Sequence, residues 1–156
     1  FDIRKCSLAM FLIDIINACI KEHEPNQNLF NFLYNTVVKL DNIHQGLSYF
    51  HLQFMANFSE HLGCKPDNNY SENNCYFNLE EGRFSYKQPN NQYLLDAQQS
   101  FIIYNLLNTD NDFDFKKYLT AELRDKILIS LLEYYKLHLP GMGKLNSISI
   151  LKELLA

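Results

Sequence analysis

The chain has 156 residues, with 14 Lys+Arg against 18 Asp+Glu, a formal charge of −4 at pH 7 and 47% hydrophobic residues. That places it with ordinary single globular domains, which need neither a disulfide nor a metal to fold. A negative balance is wrong for a domain that lives mainly by gripping phosphate backbones, and 5 Gly with 4 Pro are too few for a turn-rich β-sandwich or barrel. No stretch approaches the ~20 apolar residues that span a bilayer, and the most apolar segment, Ala9 to Ile20, is interrupted by Asp14 and Asn17. The chain opens on Phe1 rather than Met, as a trimmed chain does, and no small-x-small cleavage site follows residues 1–20. Its Cys at 6, 19, 64 and 75 form no C-x-x-C pair, a spacing that fits a reducing cytoplasm better than a disulfide framework.

The first predicted element is a helix over 7–22. Leu8, Phe11, Leu12, Ile15 and Cys19 share one face, opposite a narrow polar stripe of Asp14, Asn17 and Lys21. Met10, Ile13, Ile16 and Ile20 widen the apolar face, so this helix is expected to be central. A polar break, Lys21-Glu22-His23-Glu24-Pro25-Asn26, ends in a helix-start signal. The second helix is expected over 27–40 with Phe30, Leu33, Val37 and Leu40 inward. The third covers 43–62, with Leu47, Phe50, Phe54, Met55, Phe58 and Leu62 on one face and Gly63 as its stop.

The pattern then changes. Residues 64–75 are polar and Asn-rich, hence loop. Residues 76–86 alternate with period two around Glu80-Glu81-Gly82-Arg83, a hairpin signature. A lone hairpin is marginal unless it packs on something. After a loop at 87–92, a helix resumes near Asp96, which forms a capping-box pattern with Gln99; Phe101, Ile102, Tyr104 and Leu106 supply its apolar surface. An acidic turn spans 108–114. A long helix starts near Thr120 with Leu123, Ile127, Leu131 and Tyr134 inward, and stops at His138-Leu139-Pro140-Gly141. Ser147 or Ser149 opens a short last helix with Ile150, Leu151 and Leu154. The predicted fold is mainly α: one domain over 1–156, a compact helical bundle with a small inserted β-hairpin and loop region at 64–92.

Candidate chemistry is sparse. Cys64 and Cys75 stand eleven residues apart with His61, Asp67 and Glu72 near them, whereas a structural zinc site needs four ligands, usually as two close pairs. His23, His44, His51, His61 and His138 are scattered, and no G-x-S-x-G element supplies a nucleophile. Gly141-Met142-Gly143-Lys144 lacks Walker spacing and a preceding strand, and reads as a turn. Neither catalysis nor a cofactor is therefore expected. The basic groups Arg4-Lys5, Lys116-Lys117 and Arg124/Lys126 all have acidic neighbours. A solvated face is their plain reading; a landing site for an acidic peptide or a nucleic-acid backbone is the functional alternative.

One family resemblance covers nearly the whole chain. Ser7-Leu8-Ala9-Met10-Phe11-Leu12, then Glu24-Pro25-Asn26 leading to Leu29-Phe30 and Phe32-Leu33, resemble the start of the C-terminal domain of RecO DNA repair proteins in their Bacteroides-like form. Phe50-His51-Leu52 with His61-Leu62-Gly63 is similar to that family's third helix, and Tyr76-Phe77-Asn78-Leu79-Glu80-Glu81-Gly82 to its inserted hairpin. The tail adds Tyr134-Tyr135-Lys136-Leu137-His138-Leu139-Pro140-Gly141, Gly143-Lys144-Leu145, Ser147 and Leu151-Lys152-Glu153. No single motif is diagnostic; the agreement lies in their order and spacing.

The resemblance implies a recombination mediator rather than an enzyme. RecO proteins work with RecR, often with RecF, to load RecA on single-stranded DNA coated by single-strand-binding protein (SSB), and they anneal complementary strands. The family's N-terminal OB-fold carries much of the DNA binding and is expected to be missing here, so this half should bind single-stranded DNA only weakly. Many relatives carry two C-x-x-C pairs around the insert and bind zinc; Cys64 and Cys75 are remnants at most, and 64–92 a degenerate zinc-finger-like insert. Relatives hold the acidic, Phe-ended SSB tail on this domain. Phe50, His51 and Phe54 on the third helix are the favoured slot by that analogy, with Lys116, Lys117 and Arg124 as a second candidate rim. A generic helical adaptor unrelated to DNA and a degenerate metal-dependent enzyme are the alternative functions.

Overall fold

The computed structural model describes residues 2–21, 24–88, 90–108 and 112–155. Among these residues, seven helices and one hairpin follow in chain order: α1 (Ile3–Cys19), α2 (Gln27–Asn42), α3 (Leu47–His61), β1 (Tyr76–Asn78), β2 (Arg83–Ser85), α4 (Ala97–Leu107), α5 (Phe115–Tyr118), α6 (Ala121–His138) and α7 (Ile148–Leu155). The mainly α architecture expected from the sequence is the one observed.

α3 sits in the middle and packs against α1, α2, α4 and α6. Its Leu52, Met55 and Phe58 are fully enclosed together with Phe11 and Ile15 of α1, Ile102, Ile103 and Leu106 of α4, and Ile127 and Tyr135 of α6. Each such side chain contributes about 1.5–3 kcal/mol by leaving water. Two tyrosines of α6 pin the layers. Tyr135 Oη donates to the Met55 carbonyl at 2.6 Å, and Tyr134 Oη donates to the Cys64 carbonyl at 2.7 Å.

The caps follow the sequence. Asp96 and Gln99 make the reciprocal capping box at α4, and Thr120 caps α6 through the Leu123 N–H. Asn26 caps α2 and Asp2 caps α1. Asp2 is why α1 starts four residues before the expected Ser7, and it stops at Cys19 rather than residue 22. α3 opens on Gly46, whose φ of +85° no side-chained residue adopts without strain. The four-residue α5 is too short to show a helical period in the sequence.

Two faces differ from expectation. In α2, Leu33 and Leu40 turn inward as predicted, but Phe30 and Val37 are each 62% exposed. The helix is apolar at several phases, and aromatic stacking selects one. Phe32 lies against Phe54, Phe58 and His61 at centroid distances of 5.6, 6.1 and 4.4 Å, whereas Phe30 stacks only on Tyr34 of its own outer face. In α1, Met10 and Ile13 are exposed rather than widening the buried face. Glu22 and His23 of the predicted break, Pro89 of the second loop, residues 109–111 of the acidic turn and the side chain of Leu154 lie outside what is described.

Asp14, expected on a plain polar stripe, has a structural task. Its Oδ2 accepts from the Asn146 N–H at 2.6 Å, the Ser147 N–H at 2.8 Å and the Ser147 hydroxyl at 2.8 Å, holding the entry of α7 onto α1. Burial works to raise the carboxyl, but the bonds from Ser147 and Asn146 outweigh it and hold it below the ordinary value. Asp14→Ala should cost about 1 kcal/mol, the usual scale for a lost helix cap, and speed hydrogen exchange in α7 before the rest of the bundle. The sign with pH follows from the lowered value: the contribution is complete above the ordinary Asp pKa and is lost as pH falls through the depressed one. Urea melts of wild type and Asp14→Ala at pH 7 and pH 3 check this; the gap between them should shrink on acidification.

Candidate functional site

A concavity lies between α2 and α3. α2 packs on α3 through Phe32, leaving a groove of about 210 Å³ whose apolar part is Phe32, Phe50 and Phe54. Asn35, Thr36, Gln53 and Asn57 line its polar part, and Lys39 is the single charged lining residue. Phe50 and Phe54 are 3% and 4% exposed, so they serve the core and offer only an edge to the groove. Thr36 and Asn57 donate to their own helices, at the Phe32 and Gln53 carbonyls, while the amides of Asn35 and Gln53 have no bonded partner among the described residues. The result is a small aromatic slot with unspent amide hydrogen-bonding capacity beside one ammonium.

The proposed site residues separate on the structure. Phe50 and Phe54 reach this groove, but His51 does not line it. His51 is 1% exposed and packs edge-on against Phe11 of α1 at 6.0 Å. Burial, and then the nearby Arg124 charge, push its pKa down to about 3, so it is a neutral ring at any working pH. Lys116 and Lys117 are exposed on α5, and Arg124 is a buried residue in the first turns of α6; none of the three lines the α2–α3 groove. Sequence reasoning missed Lys39, Asn35 and Gln53 as a set. Lys39 stands near the end of α2 and faces α3 only once Phe32 fixes the helix phase.

Other chemistry is quiet. A cleft of about 290 Å³ near the ends of α1 and α3 collects Cys19, Glu24, His61 and Lys21. Burial, with Cys64 adding, pushes the Cys19 thiol up to about 12, far from an activated nucleophile. Lys21 Nζ is engaged by the Gly141 carbonyl, and His61 stacks on Phe32.

The insert does not fit zinc. Among the described residues no three His, Cys, Asp or Glu side chains converge as a ligand set. Burial raises the Cys64 thiol, the reverse of what a thiolate ligand needs. Side chains supply the order instead. Asn69 reaches across the loop and pairs with Phe84 twice, donating to its carbonyl and accepting from its N–H, both at 2.8 Å. Tyr70 stacks on Tyr104 at 4.4 Å and edge-on to Phe84 at 5.3 Å. The hairpin pairs Tyr76 with Ser85, Phe77 with Phe84 and Asn78 with Arg83. It is no lone hairpin, because Phe77 and Leu79 also bond the 93–95 segment and Ser100 of α4 accepts from the Phe77 N–H at 2.8 Å. Gly82 turns it at φ +66°, where a Cβ would come within 3.0 Å of Tyr134 Oη. His138 Nε2 lies 2.8 Å from the Leu79 carbonyl and donates to it in the Nε2–H tautomer.

This arrangement predicts that Asn69→Ala lowers stability by about 1–3 kcal/mol, the cost of leaving the Phe84 backbone groups unpaired. A chelator should leave the melting temperature of the wild-type protein unchanged. Chemical denaturation and a melt in EDTA check both; a large chelator-induced loss would mean that a metal holds the insert.

A family model described as Recombination protein O C terminal matches residues 1–147. The chain is similar to proteins named DNA repair protein RecO. It is 35% identical over 149 residues to that of Azobacteroides pseudotrichonymphae, covering 94% of this chain and 61% of the relative. It is 32% identical over 155 residues to that of Phocaeicola vulgatus, covering 99% and 64%, and 33% identical over 154 residues to that of Flavobacterium johnsoniae, covering 98% and 62%. The chain thus spans less than two thirds of the length of these curated relatives. No solved structure matches it significantly.

Proposed function

The chain belongs to the family of C-terminal regions of recombination protein O, and from that premise we propose that it is the helical interaction module of a DNA-repair recombination mediator. In this reading it is a scaffold rather than an enzyme: one helical unit over 1–156, with 64–92 as its insert. Its partners are RecR and the acidic, apolar-ended tail of single-strand-binding protein, through which RecA loading on single-stranded DNA is served. Among the described residues no helix is long and apolar enough to cross a membrane.

The observation that carries the reading is the α2–α3 groove. A tail of acidic residues ending in an aromatic needs an apolar slot, a cation, and donors for its main chain. Phe32, Phe50 and Phe54 supply the slot, Lys39 the cation, and the Asn35 and Gln53 amides the donors. An exposed charge pair contributes at most ~1 kcal/mol, so most of the affinity comes from the buried aromatic end. In this reading Phe50 and Phe54 form the apolar slot, and Lys39, rather than Lys116, Lys117 or Arg124, supplies the cation. Single-stranded DNA is a weak ligand in this reading, because a chain of net charge −4 has few clustered cations to displace counterions.

The test is a titration of a fluorescent acidic peptide ending in Phe against the protein, with a des-Phe peptide and a labelled oligonucleotide as controls. The full peptide should bind with micromolar-range affinity, the des-Phe peptide at least tenfold more weakly, and Lys39→Glu should weaken the full peptide several-fold. Raising salt should weaken binding without abolishing it. Equal binding of the two peptides would contradict the slot, and steep, salt-sensitive binding of the oligonucleotide alone would make this half a DNA-binding module instead.

A further inference from the structure

The fold leaves the outer side of α1 uncovered. Ile3, Cys6, Met10, Ile13 and Asn17 recur along it at alternating steps of three and four residues, which sets them in one row on the helix surface. Ile3, Met10 and Ile13 are 57%, 52% and 59% exposed, and Cys6 and Asn17 are exposed beside them. From Ile3 to Asn17 the row runs about 21 Å, or about four helical turns. Single exposed apolar residues are ordinary on any protein, but an aligned row of this length marks a contact surface.

α7 turns part of the row into a groove. Met10, Ile13 and Asp14 of α1 and the exposed Ile150 of α7 line a concavity of about 330 Å³, and among its lining residues Asp14 alone is charged. Asp14 Oδ2 takes the three bonds from Asn146 and Ser147, whereas Oδ1 accepts none among the described residues. No described Lys or Arg comes within ion-pair distance of it. The cations of this part of the chain are engaged elsewhere: Arg4 by Asp2, Lys5 by the Asp41 carbonyl and Lys21 by the Gly141 carbonyl. These features select an occupant. A long apolar row is matched by the apolar side of another helix, whose side chains recur at the same steps of three and four. An open carboxylate in an otherwise uncharged groove favours a cation on that helix and disfavours an acidic or phosphate-bearing ligand. A second copy of this chain would offer the same acid and no cation from the groove, so two copies do not complement each other there.

We propose that the outer face of α1, with the adjoining edge of α7, is a docking surface for a cationic amphipathic helix of a partner protein. The apolar side of that helix covers the row from Ile3 to Ile13 and the groove beside Ile150, and a Lys or Arg next to it pairs with Asp14 Oδ1. Asp14 also holds the entry of α7, so the docked helix lies over the joint between α1 and α7 and restrains it. This surface shares no lining residue with the α2–α3 groove and does not depend on what that groove binds.

The probe is a designed helical peptide with Leu at alternating steps of three and four and Lys beside them. Its controls are a scrambled peptide of the same composition and a version with Glu in place of Lys. In a chemical-shift titration of the labelled protein, the Lys peptide should move the Ile3, Met10, Ile13 and Ile150 methyl resonances saturably and slow hydrogen exchange in α7. The scrambled and Glu peptides should each bind about tenfold more weakly, a difference of about 1.4 kcal/mol. Ile13→Ser, at an exposed position, should weaken the Lys peptide several-fold, and Lys39→Ala should leave it unchanged. Asp14→Asn keeps an oxygen for the Ser147 bonds but loses the charge, so it should remove the preference for Lys over Glu. Should Asp14→Asn release α7, the comparison of the Lys and Glu peptides on the wild-type protein decides the charge requirement by itself. Equal binding of the Lys and scrambled peptides, or shifts gathered away from α1 and α7, would overturn the proposal. Sedimentation of the protein alone tests the other occupant: a dimer that Ile13→Ser dissociates would overturn the proposal and give this face to a second copy.

Discussion

The enclosure of α3 is the constraint on which the rest of the structure depends. Nine of its fifteen residues are buried, and four helices pack around it. Such a helix cannot shift without opening its contacts on every side, because interiors packed to crystal density transmit displacement. Tyr135 sets the depth of α6 by bonding the Met55 carbonyl, and Phe32 sets the phase of α2 by stacking across Phe54, Phe58 and His61. The groove opens where α2 covers this helix incompletely.

Much of this was legible in the sequence. Helices α4 and α6, and the end of α3, are legible because each carries a cap or a stop: the Asp96–Gln99 box before α4, Thr120 and Pro140 around α6, and Gly63 after α3; α3 begins at Leu47 after Gly46 rather than at residue 43. The hairpin was legible from its alternation and from Gly82. α2 was legible as a helix but not in its phase, since Phe30, Phe32, Tyr34, Val37 and Val38 are apolar on more than one face and only tertiary stacking chooses between them. Asp14 was read as surface because a carboxylate's long-range bonds, here to Asn146 and Ser147, leave no local trace.

The candidate site was half legible for the same reason. Phe50 and Phe54 follow from the period of α3, but period alone does not tell a core aromatic from one that also shows an edge in a groove. Lys39, Asn35 and Gln53 come together only across two helices. The insert shows a different exchange. In place of two close cysteine pairs, this chain holds its loop with one amide, Asn69, bonded twice to Phe84, and with Tyr70 stacked over Tyr104. Net hydrogen bonds of about 0.5–1.5 kcal/mol each and an aromatic contact of similar size suffice there because the hairpin is already backed by α4 and α6.

In the proposed function the α2–α3 groove receives a partner's acidic, aromatic-ended tail. Chemical-shift mapping of the isotopically labelled protein with that peptide checks this. The largest perturbations should fall on Asn35, Thr36, Lys39, Gln53 and Asn57, with the Phe32, Phe50 and Phe54 ring resonances moving in step. Perturbations gathered instead on Tyr118 and the start of α6, with the groove unmoved, would contradict it.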